Sequence, residues 1–318
     1  MDSISISQRL FRAAICCLAP LISVAALAAG PVEFTAADAQ TAYAEAVGLV
    51  TNCTPRDAGT PGGRRAADWI CAAARRAGAN AHLDSFVALS RSSLVSFVNV
   101  IAEFPGAEPS APWIVLISHF DTVPGIGNGF QGANDGASTT GLLLAFARSL
   151  SRAGRLNHNV MLVWTDAEEC RISYSRHDGF QGSRHVVEQF AVKRRAVKAA
   201  ICLDMLGDRN LHITVPGNGT PALRAYAAKA AAKAGLPQML SLQDAMVVGD
   251  DHSPFLEAGC PAICLIDFDY GTMPGLNNYW HTPLDTIDKI SADSLYAAGR
   301  ITAELVNLLA QPAVLKGP

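Results

Sequence analysis

The sequence predicts an α/β fold in which helices cover both faces of a largely parallel sheet. Short runs of apolar and β-branched residues, such as WIVLIS at 113–118 and VMLVWT at 160–165, are typical of buried parallel strands. Segments with a helical pattern lie between these runs. Regular alternation of strands and helices favours one parallel sheet over separate helical and sheet domains.

Two helices precede the alternating region. The first is predicted at 35–50, where Thr35 or Asp38 can serve as the N-cap. A Gly/Pro turn is predicted at 59–63, and a second helix follows at 64–76. Strands are then predicted at 94–104, 113–118, 160–165, 199–203 and 261–266, with helices at 138–153, 183–193, 221–234 and 292–309. One sheet can organise a chain of this length, so we expect a single domain.

The first 28 residues predict a secretory signal peptide. Two arginines precede the apolar stretch 13–28, which ends in the small-residue sequence ALA. The stretch contains a proline and is shorter than the ~20 residues that a membrane span needs. We therefore expect residues 29–318 to be secreted or periplasmic, with no membrane span after processing.

Charge and cysteine content limit the possible partners. The net charge is −3 and basic residues are scattered, which argues against a nucleic-acid partner. Two of the eight cysteines lie in the predicted signal, and the spacing of the others fits neither a zinc finger nor a disulfide framework. Pairing of Cys53 with Cys71 stays open. We expect a monomer.

Side chains that can bind a metal stand at or just after the ends of the apolar runs: His119, Asp135, Glu168 with Glu169, Asp204 and His281. Open α/β sheets gather their ligands outside the carboxyl ends of such strands. Two imidazoles with several carboxylates suit Zn²⁺ or a similar divalent ion, and an extra carboxylate beside a ligand suits a general base.

His119 and Asp121 can alternatively be an ordinary pair of loop residues, and Asp135 also has other interpretations. Asp121 follows His119 by two residues, so on an extended path it points the same way and can orient the imidazole instead of binding metal. The glycine-rich segment 125–136 precedes a helix and could bind an anion, but Asp135 would repel a phosphate. A Walker-type lysine is also missing. An ordinary helix cap is the remaining alternative for Asp135.

Glu168 and Glu169 are adjacent at the end of a buried strand. Like charges in a partly desolvated site repel each other, which raises one pKa. A divalent ion relieves this repulsion, so one glutamate can bind metal while the other acts as a base near neutral pH. The sequence has no Gly-x-Ser-x-Gly motif, which leaves a serine hydrolase of that type without support.

Six motifs occur in a characteristic order: SHFDT at 118, GANDGA at 132, TDAEE at 165, LDMLGD at 203, DDHSPF at 250 and WHTPLDT at 280. Together they resemble the zinc-dependent aminopeptidase superfamily, which includes the bacterial leucyl aminopeptidases and the glutaminyl cyclases. The resemblance covers roughly residues 111–291. It implies a three-layer α/β/α sandwich with a mixed, mainly parallel sheet, and a zinc-dependent catalytic domain at 29–318.

The segment CRISYSRHDGFQ, which follows the two glutamates, distinguishes the two branches of this superfamily. Its length and its Ser-x-x-Asp core resemble the animal glutaminyl cyclases. That branch converts N-terminal Gln of peptides or proteins to pyroglutamate and releases ammonia. The alternative is a secreted di-zinc aminopeptidase that removes the N-terminal residue. A third possibility is a non-catalytic binding domain, which the intact ligand set and Glu168 oppose.

In the cyclase branch, the resemblance makes Asp135, Glu169 and His281 the ligands of one zinc, and Glu168 the proton shuttle. The aminopeptidase branch implies a second zinc, bound by His119 and Asp204 and bridged through Asp135.

The resemblance also assigns residues to the substrate. Asp204 and Asp251 form the catalytic acidic network near the substrate amine, and Trp280 forms part of an apolar pocket wall. Tyr174 stands where animal cyclases carry a Trp, which departs from the family pattern and changes the expected pocket shape.

Overall fold

An eight-stranded mixed sheet forms the centre of the computed structural model, which describes residues 30–127 and 129–311. The predicted signal peptide at 1–28 lies outside the described residues. The strands are β1 (Asn80–Ser90), β2 (Ser93–Phe104), β3 (Trp113–His119), β4 (Asn159–Thr165), β5 (Val197–Asp204), β6 (Ile213–Pro216), β7 (Leu240–Gln243) and β8 (Ala262–Ile266). They lie side by side in the order β1-β2-β4-β3-β5-β8-β6-β7. The central strands β4, β3, β5 and β8 are parallel, so their carboxyl ends share one edge.

Helices cover both faces of the sheet. They are α1 (Ala36–Cys53), α2 (Pro61–Arg76), α3 (Thr139–Ala153), α4 (Gln181–Val192), α5 (Pro221–Lys233), α6 (Ser253–Glu257) and α7 (Ala292–Leu309). Helices α1, α2, α3, α5 and α7 contribute to one hydrophobic core, whereas α4 and α6 contribute to a second core on the other face. This arrangement confirms the predicted three-layer sandwich.

Alternation along β3 shows how one strand serves both cores. Ile114 and Leu116 pack into the core that contains α3, and Val115 and Ile117 pack into the core that contains α4. Successive side chains of a strand point to opposite faces, so a strand between two helical layers must be apolar at every position. This is why WIVLIS is a continuous apolar run.

The predicted strands and helices all form, with small shifts at their ends. The largest shifts are three residues, at the end of α1 and at the start of α2, which begins at Pro61 inside the predicted turn. The Thr60 side chain accepts a hydrogen bond from the Gly63 N–H, and proline is compatible with the first helical turn. The turn prediction was therefore wrong for residues 61–63.

Sequence reasoning missed β1, β6 and β7. Strand β1 lies at the edge of the sheet and is largely half-exposed, so it lacks a continuous apolar run. Strands β6 and β7 have only four residues each. Strand β2 pairs antiparallel with both β1 and β4, which makes the sheet mixed, as the resemblance implied.

Two further expectations concern the chain as a whole. The cysteines of the described ranges are all unpaired, so the Cys53–Cys71 disulfide that the sequence left open does not form. A search of the described residues finds no helix long and apolar enough to cross a membrane.

Candidate metal centre and active site

Asp135 lies between two histidines at the carboxyl edge of the sheet. Its Oδ1 atom is 3.0 Å from Nε2 of His119, and its Oδ2 atom is 3.3 Å from Nε2 of His281. Glu169 extends the group on one side, with Oε1 3.1 Å from His281 Nε2. Asp204 extends it on the other, with Oδ1 3.2 Å from His119 Nε2. Two sets of three potential metal ligands therefore share the Asp135 carboxylate.

These side chains reach the site from different strand ends. His119 is the last residue of β3, and Asp204 is the last residue of β5. Glu168 and Glu169 follow the end of β4, while His281 comes from the loop between β8 and α7. The structure thus brings together all the strand-end side chains that the sequence singled out, because their parallel strands end at one edge.

Asp135 is held by a turn that Asp285 anchors. One carboxylate oxygen of Asp285 accepts the N–H of Asn134 at 2.8 Å, and the other accepts the N–H of Asp135 at 3.2 Å. The Tyr270 hydroxyl donates to Asp285 at 2.6 Å, and both residues are fully buried. Sequence reasoning missed this pair, although WHTPLDT, the motif that contains Asp285, was one of the six.

Gly136 explains part of the GANDGA motif. A Cβ atom at this position would lie 2.5 Å from the carbonyl oxygen of His119 and 2.6 Å from its Nε2 atom. Because real Cβ atoms do not approach other atoms this closely, any larger residue would displace His119. The glycine therefore allows Asp135 and His119 to approach each other.

Arg56 is a second residue that sequence reasoning missed. Its guanidinium is fully buried and donates to three main-chain carbonyls, those of Phe120 at 2.6 Å, Gln131 at 2.7 Å and Gly132 at 2.6 Å. These carbonyls belong to the segment that leads from His119 to Asp135. Arg56 therefore ties both ends of that segment together. No local pattern in the sequence signals this contact.

Asp121 holds the two glutamates in place. Its carboxylate accepts the N–H of Glu168 and the N–H of Glu169, each at 3.2 Å. It also lies beside the imidazole of His119, with Oδ1 3.6 Å from Nδ1. Asp121 was predicted to orient His119, which its position beside Nδ1 fits, and its carboxylate also fixes the direction of the Glu168–Glu169 turn.

Both glutamates carry perturbed pKa values. Burial, followed by the neighbouring charge of Glu169, raises the pKa of Glu168 well above its usual range. Burial and then the charge of Asp135 raise the pKa of Glu169 to about 7. The sequence predicted this repulsion between adjacent buried carboxylates, and a base with a raised pKa can move protons near neutral pH.

The chemistry of these side chains fits a divalent cation. Four carboxylates converge on the imidazoles of His119 and His281, namely those of Asp135, Glu168, Glu169 and Asp204. Among the described residues, none of these four forms an ion pair with lysine or arginine. The Oδ2 atom of Asp135, inside this group, is buried without a hydrogen-bond partner in the described parts of the chain. Imidazole nitrogen and carboxylate oxygen are ligands that zinc accepts in catalytic sites. Asp135, Glu169 and His281 could therefore hold one ion, and His119 and Asp204 a second.

Zinc is expected to raise the melting temperature more at about pH 8 than at about pH 5. Burial raises the folded-state pKa of Glu169 and of Asp204 to about 7, so the stability they contribute is lost as pH rises towards 7. Burial alone would lower the pKa of His281, but its bonds to Asp135 and Glu169 raise it to about 10, so its contribution also falls with rising pH.

The metal-free protein thus loses stability over the same pH range in which its ligands become deprotonated and able to bind metal, so zinc should stabilise it more at the higher pH. Thermal melting with zinc and with a chelator at both pH values measures the difference. A zinc effect that is the same or smaller at the higher pH would contradict the proposed ligand set.

A cleft of about 460 Å³ opens onto these side chains. Its floor contains Asp135, Glu168, Glu169, Asp204 and His281, and one wall is apolar. Phe268 and Trp280 form part of that wall, with ring centroids 5.8 Å apart. Trp280 also stacks on His281 at 4.0 Å. A small ligand in the cleft would have polar groups on one side and aromatic surface on the other.

Tyr174 also lines the cleft. Its ring stacks on Phe180 at 4.7 Å, and its hydroxyl lies 3.5 Å from Oε2 of Glu168 and 3.3 Å from Oε2 of Glu169. Gly179 packs directly under the ring, since a Cβ there would lie 2.4 Å from Tyr174 Cδ1. Both predicted pocket residues, Trp280 and Tyr174, therefore line the cleft.

Of the two residues in the predicted acidic network, Asp204 and Asp251, only Asp204 lines the cleft. Asp204 lines the cleft, whereas Asp251 is fully buried behind it and accepts the Thr165 hydroxyl. Burial, followed by the charge of Asp250, raises the pKa of Asp251 to about 7. Asp250, which sequence reasoning did not select, is the member of the pair that reaches the cleft.

Comparison with known proteins places this site in a family. Peptidase family M28 matches residues 99–306 of the chain. The glutaminyl-peptide cyclotransferase-like protein of Bos taurus is 27% identical over 279 residues, which cover 78% of this chain and 70% of that protein. Aminopeptidase YwaD of Bacillus subtilis is 28% identical over 200 residues, which cover 61% of this chain and 40% of that protein.

A solved structure shows the same fold. The glutaminyl cyclase of an Acidobacteriales bacterium superimposes with a TM-score of 0.80 and 32% identity, covering 88% of this chain and 96% of that chain. The match to family M28 includes every strand-end side chain described above, and the family is zinc-dependent. The chain belongs to peptidase family M28.

Proposed function

We propose that this protein is a glutaminyl-peptide cyclotransferase. It would close the N-terminal Gln of a peptide or protein to pyroglutamate and release ammonia. One observation carries the proposal: Glu168 stands free of the ligand set Asp135, Glu169 and His281, and faces a cleft with an aromatic wall. The names of the similar proteins support it, since the 32% identical structure is a glutaminyl cyclase.

Asp135, Glu169 and His281 are the proposed ligands of one zinc ion. When bound there, the ion would polarise the side-chain carbonyl of the substrate Gln as a Lewis acid. Trp280 and Phe268 provide apolar surface for the methylene groups of the Gln side chain. The floor and wall of the cleft can therefore orient an N-terminal Gln.

Glu168 is the proposed proton shuttle. It takes a proton from the α-amine, whose nitrogen then attacks the side-chain amide carbon of the same residue. The new carbon–nitrogen bond closes a five-membered ring, the bond to the amide nitrogen breaks, and Glu168 returns its proton to the departing ammonia. Because the reaction occurs within one residue, most of the required assistance is orientation. Asp204 lies in the cleft floor, where it would bind the amine, and Asp251 is buried behind the cleft.

A di-zinc aminopeptidase is the second candidate, and one observation favours it. His119, Asp135 and Asp204 form a complete second set of potential ligands, bridged to the first through Asp135. With two ions, Glu168 would activate a water molecule for attack on the first peptide bond. The number of zinc ions separates the candidates, and we propose one.

Mass spectrometry of a short peptide that begins with Gln tests the function directly. Zinc-loaded protein should yield a product lighter by one ammonia, and the Glu168→Gln variant should not. A peptide shortened by its first residue would instead establish the aminopeptidase.

We further propose that residues 1–28 are a cleaved signal peptide, so that residues 29–318 are exported and act as a monomer on peptide or protein N-termini. The mass of the protein recovered outside the cytoplasm tests the cleavage site. A mass that includes residues 1–28 would overturn this part of the proposal.

Tyr174→Phe is expected to lower kcat about tenfold with little change in KM. The variant keeps the stack on Phe180 but loses the hydroxyl near Glu168 and Glu169, and a hydrogen bond to a charged group contributes about 1.5–3 kcal/mol. Steady-state kinetics on a Gln peptide measures the effect, with Tyr43→Phe in α1 as the control. A rise in KM alone would show that the hydroxyl binds substrate instead of orienting the glutamates.

A further inference from the structure

A second cluster of potential metal ligands lies beside the proposed catalytic centre. Cys202 of β5 and Cys264 of β8 are in register on neighbouring parallel strands. Their thiols donate to the two oxygens of one carboxylate, with Cys202 Sγ 3.1 Å from Oδ1 of Asp250 and Cys264 Sγ 3.0 Å from Oδ2. All three side chains are buried. Neither cysteine has a part in the proposed reaction.

We propose that Cys202, Cys264 and Asp250 form a second metal site, for a thiophilic divalent cation such as Zn²⁺ in excess or Cd²⁺. Their three ligand atoms all lie within 4.8 Å of one another. Zinc bonds of about 2.3 Å to sulfur and about 2.0 Å to oxygen, in tetrahedral geometry, place each sulfur about 3.5 Å from the oxygen. Each thiol already lies within about 0.5 Å of this separation from its own carboxylate oxygen, so binding one of the two oxygens requires only a small adjustment of the Asp250 side chain.

The cation would enter from the catalytic cleft. Asp250 lines that cleft, whereas both cysteines lie behind it within the sheet. Asp250 belongs to the loop between β7 and α6, so its side chain can adjust more easily than a residue of the sheet. The two sulfurs and one oxygen would fill three positions of a tetrahedral ion and leave the fourth for a water molecule.

Binding would replace two S–H bonds with two metal–sulfur bonds and release both protons to solvent. Because both thiols must lose their protons to bind as thiolates, only a cation with a high affinity for thiolate can occupy the site. Zn²⁺ and Cd²⁺ meet this condition, whereas Mg²⁺ and Ca²⁺ prefer oxygen ligands. The two sulfur ligands therefore make the site selective for thiophilic cations over Mg²⁺ and Ca²⁺.

Occupation of this site would also affect the catalytic centre. Asp250 Oδ1 accepts the N–H of Asp251 at 2.5 Å, so a metal ion that pulls on Asp250 also moves Asp251. Asp251 is bonded to Thr165 at the end of β4, the strand that leads to Glu168. Inhibition by excess thiophilic metal follows, and this consequence alone depends on the proposed function.

The test is a titration of the zinc-loaded full chain with Cd²⁺, followed by ultraviolet absorption. Thiolate-to-cadmium charge transfer should appear and saturate at one equivalent. It should disappear in the Cys202→Ser/Cys264→Ser double variant and persist in the control Cys170→Ser/Cys260→Ser, which changes two less buried cysteines. Absence of the band from the native sequence, or its survival in the first double variant, would overturn the proposal.

A second variant covers the case in which the double replacement does not fold. Asp250→Asn keeps both thiols and removes the carboxylate, and it should weaken the cadmium-dependent absorption roughly tenfold or more in affinity. Unchanged affinity would show that Asp250 is not a ligand. Since the absorption does not depend on turnover, the site can be confirmed even if the protein proves to be an aminopeptidase.

Discussion

Replacement of Glu168 by Gln is expected to reduce kcat by about 10²–10⁴, the range that general acid–base catalysis contributes. Gln has nearly the shape of Glu but cannot accept the proton of the α-amine. Because Glu168 is not one of the three proposed zinc ligands, metal content should stay at its original value. Steady-state kinetics on a Gln peptide and metal analysis of the same preparation measure both quantities.

Glu188→Gln provides a matched control, since Glu188 is an exposed residue of α4 outside the site. The control should leave kcat unchanged. If Glu168→Gln retained more than about a tenth of the original kcat, Glu168 could not be the proton shuttle, and another cleft carboxylate would have to replace it in the mechanism.

Metal-free Glu168→Gln protein should also be more stable than the metal-free original at neutral pH. Burial raises the pKa of Glu168 in the folded state, so its contribution to stability is present at low pH and lost as pH rises above its unfolded pKa. Gln does not ionise and avoids this loss. Thermal melting in a chelator at neutral pH measures the difference. A lower melting temperature for the variant would show that burial and the neighbouring charge of Glu169 do not destabilise ionised Glu168.

Asp135→Asn is expected to remove bound zinc and to lower kcat/KM by about 10²–10³, which corresponds to several kcal/mol of metal-supplied stabilisation. The carboxylate is close to both His119 and His281, and an asparagine offers only one oxygen in place of two. Metal analysis after gel filtration checks the loss. Retention of zinc at full stoichiometry would show that Asp135 is not a ligand.

Metal analysis of a His119→Ala variant distinguishes the cyclase from the di-zinc aminopeptidase. If the protein holds one ion through Asp135, Glu169 and His281, this variant should keep one zinc per chain. If it holds two, the variant should lose one of them, because His119 and Asp204 would be ligands of the second ion. The second result would favour the aminopeptidase.

The strand-end residues could be predicted because their signals are local. A continuous apolar run marks a buried parallel strand, and a polar residue at its end, such as His119 after WIVLIS, marks the edge where such strands deliver their ligands. The repulsion between Glu168 and Glu169 follows from adjacency in the chain. The structure confirms that these side chains meet.

The supporting contacts could not be predicted because they join distant parts of the chain. Arg56 contacts carbonyls that follow it by 64 to 76 positions, and Asp285 accepts main-chain donors that precede it by about 150 positions. Neither residue lies in a hydrophobic pattern or at a strand end. The pairing of Cys202 with Cys264 likewise requires β5 and β8 to be neighbours, which strand order alone decides.

The amino-acid sequence by itself determined the fold class, the positions of most strands and helices, and the side chains available at the carboxyl edge. Apolar periodicity and residue type are properties of short segments, so they can be read without knowing the fold. Only the tertiary structure decided that Asp135 bridges two histidines, that Asp250 rather than Asp251 reaches the cleft, and that the Tyr174 hydroxyl lies beside both glutamates. These facts depend on distances between segments, which packing sets.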